Sequence, residues 1–306
     1  MKTTNKIIKT LLGAVLSLLV TFGITQHAAA ERIVFYAPVI ATTVSRGGQR
    51  VTYTTNSQIM TMNVDGTDVR QLTTGTEDSK FPAWRPGQAH ILFQRGTTLY
   101  VMDANGGGTF AVGTFLGPGA DWSPDGKMVC YVGQDSTGSS GLLAVSVDPS
   151  AKGNKKVGAP ILVCRGVPNI YGPVWSPDGT KIAFGAGASP HITVLDLITG
   201  NLSSLDSMHG LLPSWSPDGN QIAFVSGANM TGYWQLLIMN SDFSGITQVT
   251  DYNISVLWPT WSPDGTQMAF RLGSGQGWDA SLYKLTLDTG ELSLLREKAD
   301  HPDWAP

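Results

Sequence analysis

A five-residue phrase, Trp-Ser-Pro-Asp-Gly, limits what this chain can fold into more than any other feature. It stands at Trp122–Gly126, Trp175–Gly179, Trp215–Gly219 and Trp261–Gly265. A weaker copy, Trp84-Arg85-Pro86-Gly87, comes before them, and a truncated one, Trp304-Ala305-Pro306, ends the sequence. The tryptophans at 84, 122, 175, 215, 261 and 304 are separated by 38, 53, 40, 46 and 43 residues. A period of about 40–45 residues is that of one four-stranded propeller blade. Ser, Pro and Gly in this spacing suit positions i, i+1 and i+3 of a type I turn. The preceding Trp ends one strand, and its ring can pack between neighbouring sheets. A second strand follows at once, as in Lys181–Phe184, Gln221–Phe224 and Gln267–Phe270. Third strands read at Leu99–Met102 and Leu237–Asn240. Short fourth strands read at Val69–Leu72 and Leu292–Leu295, after turns such as Asp65-Gly66 and Asn105-Gly106. The four strands are named a to d from axis to rim. On this reading the Trp, Pro and Asp of the phrase build blades and bind nothing.

Composition agrees with an all-β chain rich in turns. Of 306 residues, 36 are Gly and 17 Pro, while only 14% are charged. A disordered chain needs low hydrophobicity and high net charge, and the formal charge here is -3. Two cysteines are too few for a disulfide scaffold, and a sequence pI near 5.9 lacks the basic footprint of a nucleic-acid binder.

Residues 1–30 read as a secretory signal peptide. Lys2, Lys6 and Lys9 form a positive start, Leu11–Ile24 is apolar, and Ala28-Ala29-Ala30 fits a small-residue cleavage site. The apolar stretch is short against the ~20 residues of a membrane span. Cleavage would remove three of the 20 Lys+Arg and no acids, leaving 17 positive and 23 negative groups, a charge of -6. The expectation is a soluble, exported protein, periplasmic or secreted, that is not an integral membrane protein.

These repeats resemble the propeller of the TolB family, periplasmic proteins of the Tol–Pal envelope system, across essentially all of residues 31–306. Related repeats occur in the propellers of prolyl-oligopeptidase-type peptidases and of oligogalacturonate lyases. The fold expected is an all-β, six-bladed β-propeller of four-stranded blades. His301–Pro306 supplies a strand a and then stops, and Arg32–Phe35 reads as a strand b. The C-terminal strand should therefore pair with the N-terminal blade and close the ring, as TolB propellers do. One register stays open. Arg50–Tyr53 also reads as strand b, so either residues 36–54 are an insertion in the first blade or residues 32–36 are an extra edge strand. The α/β domain that precedes the propeller in TolB has no counterpart in this reading. What the resemblance implies is a propeller that binds a protein partner, as TolB binds Pal.

No hydrolase, zinc-protease or Walker phrase occurs, and no cofactor is implied. Asn63–Asp68 lacks the spacing and bidentate Glu of a calcium loop and reads as a c–d turn. Cys130 falls in strand b and Cys164 in strand d of one blade. Two strand spacings of ~9.6 Å exceed the ~7 Å reach of a disulfide, so two buried free thiols are expected.

The phrase turns and c–d turns share one face of the disc; the b–c loops and d–a connections share the other. The second face is irregular, and loops on a rigid scaffold are where recognition concentrates. Tyr233-Trp234, Trp258, Trp278-Asp279, Tyr171, His191, His209, Met208, Arg271 and Lys80 map there. Exposed Trp, Tyr and Arg dominate interface energetics. Two functions follow. One is a non-enzymatic binding module for a protein or peptide, with a glycan also open. The other is a lyase-like enzyme on polysaccharide, with a metal held by channel His and Asp residues. The second requires His191, His209 and His301 to converge.

Overall fold

The computed structural model describes residues 31–44, 51–87, 89–135, 137–227, 232–274 and 279–305, with backbone alone for 40–44 and 51–54. The proposed signal peptide and Trp278 lie outside the described residues.

Six four-stranded antiparallel sheets form the fold. Blade 2 comprises Ser79–Trp84, His90–Arg95, Thr98–Asp103 and Phe110–Thr114. Blade 3 comprises Ala120–Trp122, Met128–Gln134, Ser140–Ser146 and Ile161–Cys164. Blade 4 runs Tyr171–Trp175, Lys181–Ala186, His191–Asp196, Leu202–Ser204. Blade 5 runs Leu211–Trp215, Gln221–Ser226, Gln235–Asn240, Thr247–Gln248. Blade 6 is Val256–Trp261, Gln267–Leu272, Ser281–Thr286 and Leu292–Glu297. The single helical turn among the described residues, Gly153–Lys156, sits between the last two strands of blade 3. Each sheet is laid out in chain order from its Trp-bearing strand outward, except blade 1.

Blade 1 is made from both ends of the chain. Asp300–Trp304 is its innermost strand, followed by Arg32–Val44, Val51–Asn63 and Arg70–Gln71. Ile33 pairs with Trp304, Val34 with Asp303 and Tyr36 with Asp300. Ala305 N donates to Arg32 O at 2.8 Å, and Trp304 Nε1 to Glu31 Oε2 at 3.3 Å. The ring therefore closes as the sequence leads one to expect.

The open register in this blade resolves as the first alternative, a long insertion between strands b and c of the first blade. Arg32–Val44 is one continuous strand b and Val51–Asn63 one continuous strand c, paired from Arg32↔Asn63 to Val44↔Val51. Val51–Tyr53 thus belongs to strand c. Pairing with the inner strand stops at Tyr36, so the hairpin runs on past the blade as a two-stranded ribbon on the irregular face.

The turn chemistry explains why the phrase repeats. In Ser176–Gly179 the Gly amide donates to Ser O at 2.8 Å, and Ser176 Oγ donates to Asp178 Oδ1 at 2.6 Å. Ser176 Oγ also accepts from Lys181 N at 2.9 Å. The same set recurs around Ser123, Ser216 and Ser262. Between blades the core fills with matched layers: Phe35, Phe93, Phe184, Phe224 and Phe270 are all fully buried in their strands b. Cys130 and Cys164 are free and buried, and burial raises both thiols above their ordinary range.

Two outcomes follow. Trp304→Ala should cost roughly 3–5 kcal/mol in chemical denaturation, because it deletes a buried indole at the seam. Native protein should leave both thiols unreacted with a thiol reagent, and denaturant should release two equivalents.

Candidate functional site

The axis of the ring is lined by the six inner strands. The residue before each motif tryptophan forms a waist: Ala83, Asp121, Val174, Ser214, Thr260 and Asp303. On the motif side of this waist a cavity of about 390 Å³ is walled by all six motif tryptophans and by Pro86, Pro124, Pro177, Pro217 and Pro263. The phrase therefore does more than turn the chain between strands. Its Trp and Pro side chains also form the wall of an axial funnel.

The waist carries two carboxylates. Asp121 accepts from Trp122 N and Trp175 N, both at 2.8 Å. Asp303 accepts from Trp84 N at 2.6 Å. Each thereby reaches across to the tryptophan of the following blade. Burial pushes Asp121 up to about 7, against the pull of its two amide donors. Burial and the nearby charge of Asp121 push Asp303 up to about 8, against its bonds to Trp84 N and Thr260. Both carboxyls border the axial cavity, yet protein atoms crowd them closely enough to make ionisation costly.

On the irregular side, a feature appears that sequence reading missed. Three residues before each motif tryptophan, every blade holds a residue at positive φ: Phe81 (52°), Gly119 (88°), Gly172 (55°), Leu212 (54°), Trp258 (54°) and His301 (51°). Proline follows in five blades; blade 3 has Ala120. Register shifts between Lys80/Ala83, Tyr171/Val174, Leu211/Ser214 and Leu257/Thr260 mark a bulge at this point, matched by one between Val34/Tyr36 in blade 1. The bulges aim the six residues at the axial mouth. A non-glycine residue in this conformation costs roughly 1–2 kcal/mol. Two blades avoid the cost with glycine, whereas four accept it with Phe, Leu, Trp and His. The sequence signal was available as Pro two residues before Trp, in Pro82, Pro173, Pro213, Pro259 and Pro302.

These bulky residues pack on one another. The Trp258 and His301 ring centres are 4.1 Å apart, Phe81 and His301 5.2 Å, and Phe81 and Trp258 5.6 Å. Tyr36 adds an edge contact to Phe81 at 5.9 Å. The Trp258 ring reaches over to Gly172, where an added Cβ would sit 3.9 Å from Cζ3. A cavity of about 80 Å³ lies on this side of the waist. Burial lowers His301 to about 3, so its ring is neutral, and its Nδ1 has no hydrogen-bond partner.

The other expected site residues are placed as follows. Trp258 lies within strand a of blade 6, half-buried in the cluster just described. Tyr233 and Trp234 are half-buried before strand c of blade 5; Trp234 packs over Gly227, and its amide donates to Ser255 Oγ at 3.2 Å. Tyr171 and Lys80 are half-buried, and Asp279 is exposed. Trp278 lies outside the described residues. Arg271 departs from the expected surface position: it is 2% exposed, with Nε 3.0 Å from Asp300 Oδ2. Burial raises Asp300 against the attraction of Arg271. Burial and the Asp300 charge also lift the Tyr36 hydroxyl far above its usual range. An inward-facing position on strand b, paired with Leu257 and Leu282, is the reason Arg271 is hidden.

His191 and His209 do come together, with ring centres 5.5 Å apart. His301 is not with them but in the aromatic cluster. Among the described residues no group of three or more His, Cys, Asp or Glu is placed to hold a metal ion.

Residues 158–306, just under half of the chain, match the family model of the TolB beta propeller domain. Among solved structures, a putative TolB from Agrobacterium tumefaciens is similar at a TM-score of 0.68 and 20% identity, covering 89% of this chain and 92% of that one. TolB from Acinetobacter baumannii is similar at 0.66 and 19% identity, over 90% of this chain and 67% of that one. An oligogalacturonate lyase in complex with manganese is similar at 0.53 and 13% identity, over 90% and 84%. At these identities the likeness is one of fold. No curated protein matches the chain. The class defined by fold and axis is a six-bladed β-propeller of short antiparallel blades. Within that class the chain is TolB-like, and no α/β domain occurs among its described residues.

The waist makes a pH prediction. Both aspartates sit above their unfolded value in the folded state, so their contribution favours folding most at low pH. It is lost as pH rises from about 4 through about 8. Denaturation midpoints should fall over that window. Asp303→Asn keeps an acceptor for Trp84 N but cannot ionise, and should make the slope shallower.

Proposed function

We propose that the chain is an exported, non-enzymatic binding scaffold that recognises a protein or peptide partner at its irregular face, around the aromatic mouth of the axis. The observation that carries this is the left-handed ring. Strain of this kind persists where the surrounding structure over-determines it, and it clusters at binding and catalytic sites. Phe81, Trp258 and His301 accept strain that glycine would remove, and they present aromatic surface at the centre of the disc. Trp and Tyr beside a polar rim are the usual anchors of protein recognition. Tyr233, Trp234 and Asp279 would extend the contact outward, together with Trp278, Tyr171, His191 and His209. Arg271 would act from beneath by holding Asp300 and, through it, Tyr36. Likeness to TolB propellers supports a protein partner, and the reading of residues 1–30 supports a periplasmic or secreted setting. No helix among the described residues is long and apolar enough to cross a membrane.

The test separates binding from stability. Trp258→Gly and Phe81→Gly relieve backbone strain while deleting the aromatic surface, so lost packing and lost strain partly offset. Melting temperatures should move by only about 2–4 °C, as a change near 1 kcal/mol would give. Affinity for a partner captured from envelope extract and identified by mass spectrometry should fall at least tenfold. Capture unchanged in both variants and in Trp234→Ala would place recognition elsewhere.

A further inference from the structure

The geometry points to a two-histidine site for a divalent late transition metal, Zn²⁺ or Cu²⁺, formed by His191 and His209 on blade 4. It stands on its own geometry, although both histidines also belong to the outer part of the proposed contact, and metal titration of the protein alone reads it separately.

His191 opens strand c of blade 4, and His209 lies in the connection from blade 4 to blade 5. His191 Nδ1 is 3.1 Å from Leu205 O and 3.0 Å from Met208 O. Carbonyl oxygens only accept, so Nδ1 carries the proton and donates to them. The neutral ring then has its lone pair on Nε2. A ring nitrogen tied to a backbone carbonyl while the other keeps its lone pair is the arrangement that orients metal-binding histidines and raises their basicity.

The same contacts fix the second ligand. Leu205 N donates to Ile192 O at 2.9 Å, and Gly210 N donates to Pro190 O at 2.8 Å. The Met208 carbonyl is held by the His191 ring itself. His209 is thus anchored on both sides of its own backbone, with its side chain exposed. Gly210 allows this close approach: a Cβ there would meet Ile192 Cγ1 at 2.8 Å and Phe224 Cδ2 at 3.0 Å.

Ring geometry suits one shared ion. With metal–nitrogen bonds of about 2.1 Å, two imidazoles on a tetrahedral centre place their ring centres roughly 5 Å apart. Here the distance is 5.5 Å, with the planes at 82°. Imidazole pairs select zinc and copper over magnesium or calcium, which prefer oxygen ligands. Two protein ligands leave the remaining coordination positions to water or to a donor atom brought by another molecule.

Untagged protein titrated with ZnCl₂ in a calorimeter, at pH 7.5 in a buffer that does not chelate metal, tests the site. One saturable equivalent is expected. His209→Gln alters an exposed side chain and should weaken that binding at least tenfold with no change in melting temperature. His191→Gln should weaken zinc binding as well, with some loss of stability because it also frees the Leu205 and Met208 carbonyls, and His90→Gln on blade 2 should leave zinc binding unchanged. With Cu²⁺, electron paramagnetic resonance should report nitrogen ligation that is lost in His209→Gln. Absence of saturable binding in the wild type overturns the site, as does zinc affinity unchanged in His209→Gln.

Discussion

Asp300–Trp304 pairs with Arg32–Tyr36, and through that seam the end of the chain completes the blade in which the described residues begin. Five blades in sequence would leave two unpaired sheet edges. The seam removes both and also fixes the axis. Asp303 reaches Trp84 of blade 2, and Trp304 N lies 3.4 Å from Thr260 Oγ1 of blade 6. His301, which packs against Trp258 and Phe81, and Asp300, which holds Arg271, both stand on this strand. The aromatic mouth and half of the carboxylate pair therefore exist only once the ring is shut, which makes closure a condition of the site as well as of the fold.

The axis combines two costs that an ordinary core avoids. Four side chains sit in left-handed backbone where glycine would be relaxed, and two aspartates are held where ionisation is disfavoured. The four strained residues and Asp303 arise from the same local event. In the five blades other than blade 3, a bulge near three residues before the tryptophan turns the inner strand toward the centre, with a proline after the left-handed residue. It aims one large side chain at the mouth and one small or acidic side chain at the waist. The aspartates are retained because backbone amides of adjacent blades need acceptors, and the carboxyl oxygens of Asp121 accept from Trp122 N and Trp175 N.

Much of this was legible in the chain. The turn phrase located the strand a–b junctions, and its spacing implied blades. The truncated copy at Trp304 told where the ring would close. The separation of Cys130 and Cys164 by a strand foretold free thiols. Other features were hidden for physical reasons. Arg50–Tyr53 resembles strand b because both strands of a long hairpin share β-forming residues, and pairing register is a long-range property. Arg271 looked like a surface residue because its type is charged, yet Met268–Arg271 is buried on both faces of its blade, where Arg271 meets a carboxylate that is distant in sequence. The left-handed ring was written in the prolines before each tryptophan, but a backbone dihedral has no residue type of its own, and four of the six positions carry side chains that normally avoid it.

The mouth of the axis is unequal around its circumference. Phe81, Leu212, Trp258 and His301 bring bulk to four blades, while Gly119 and Gly172 leave blades 3 and 4 bare. A ring of six like units would offer an incoming molecule six equivalent orientations, each related to the next by a sixth of a turn. Adjacent bare blades break that equivalence. Whatever docks along the axis meets side-chain bulk from four blades and backbone alone from two, so it would be held at a single azimuth, and a scaffold built by repetition acquires a unique heading.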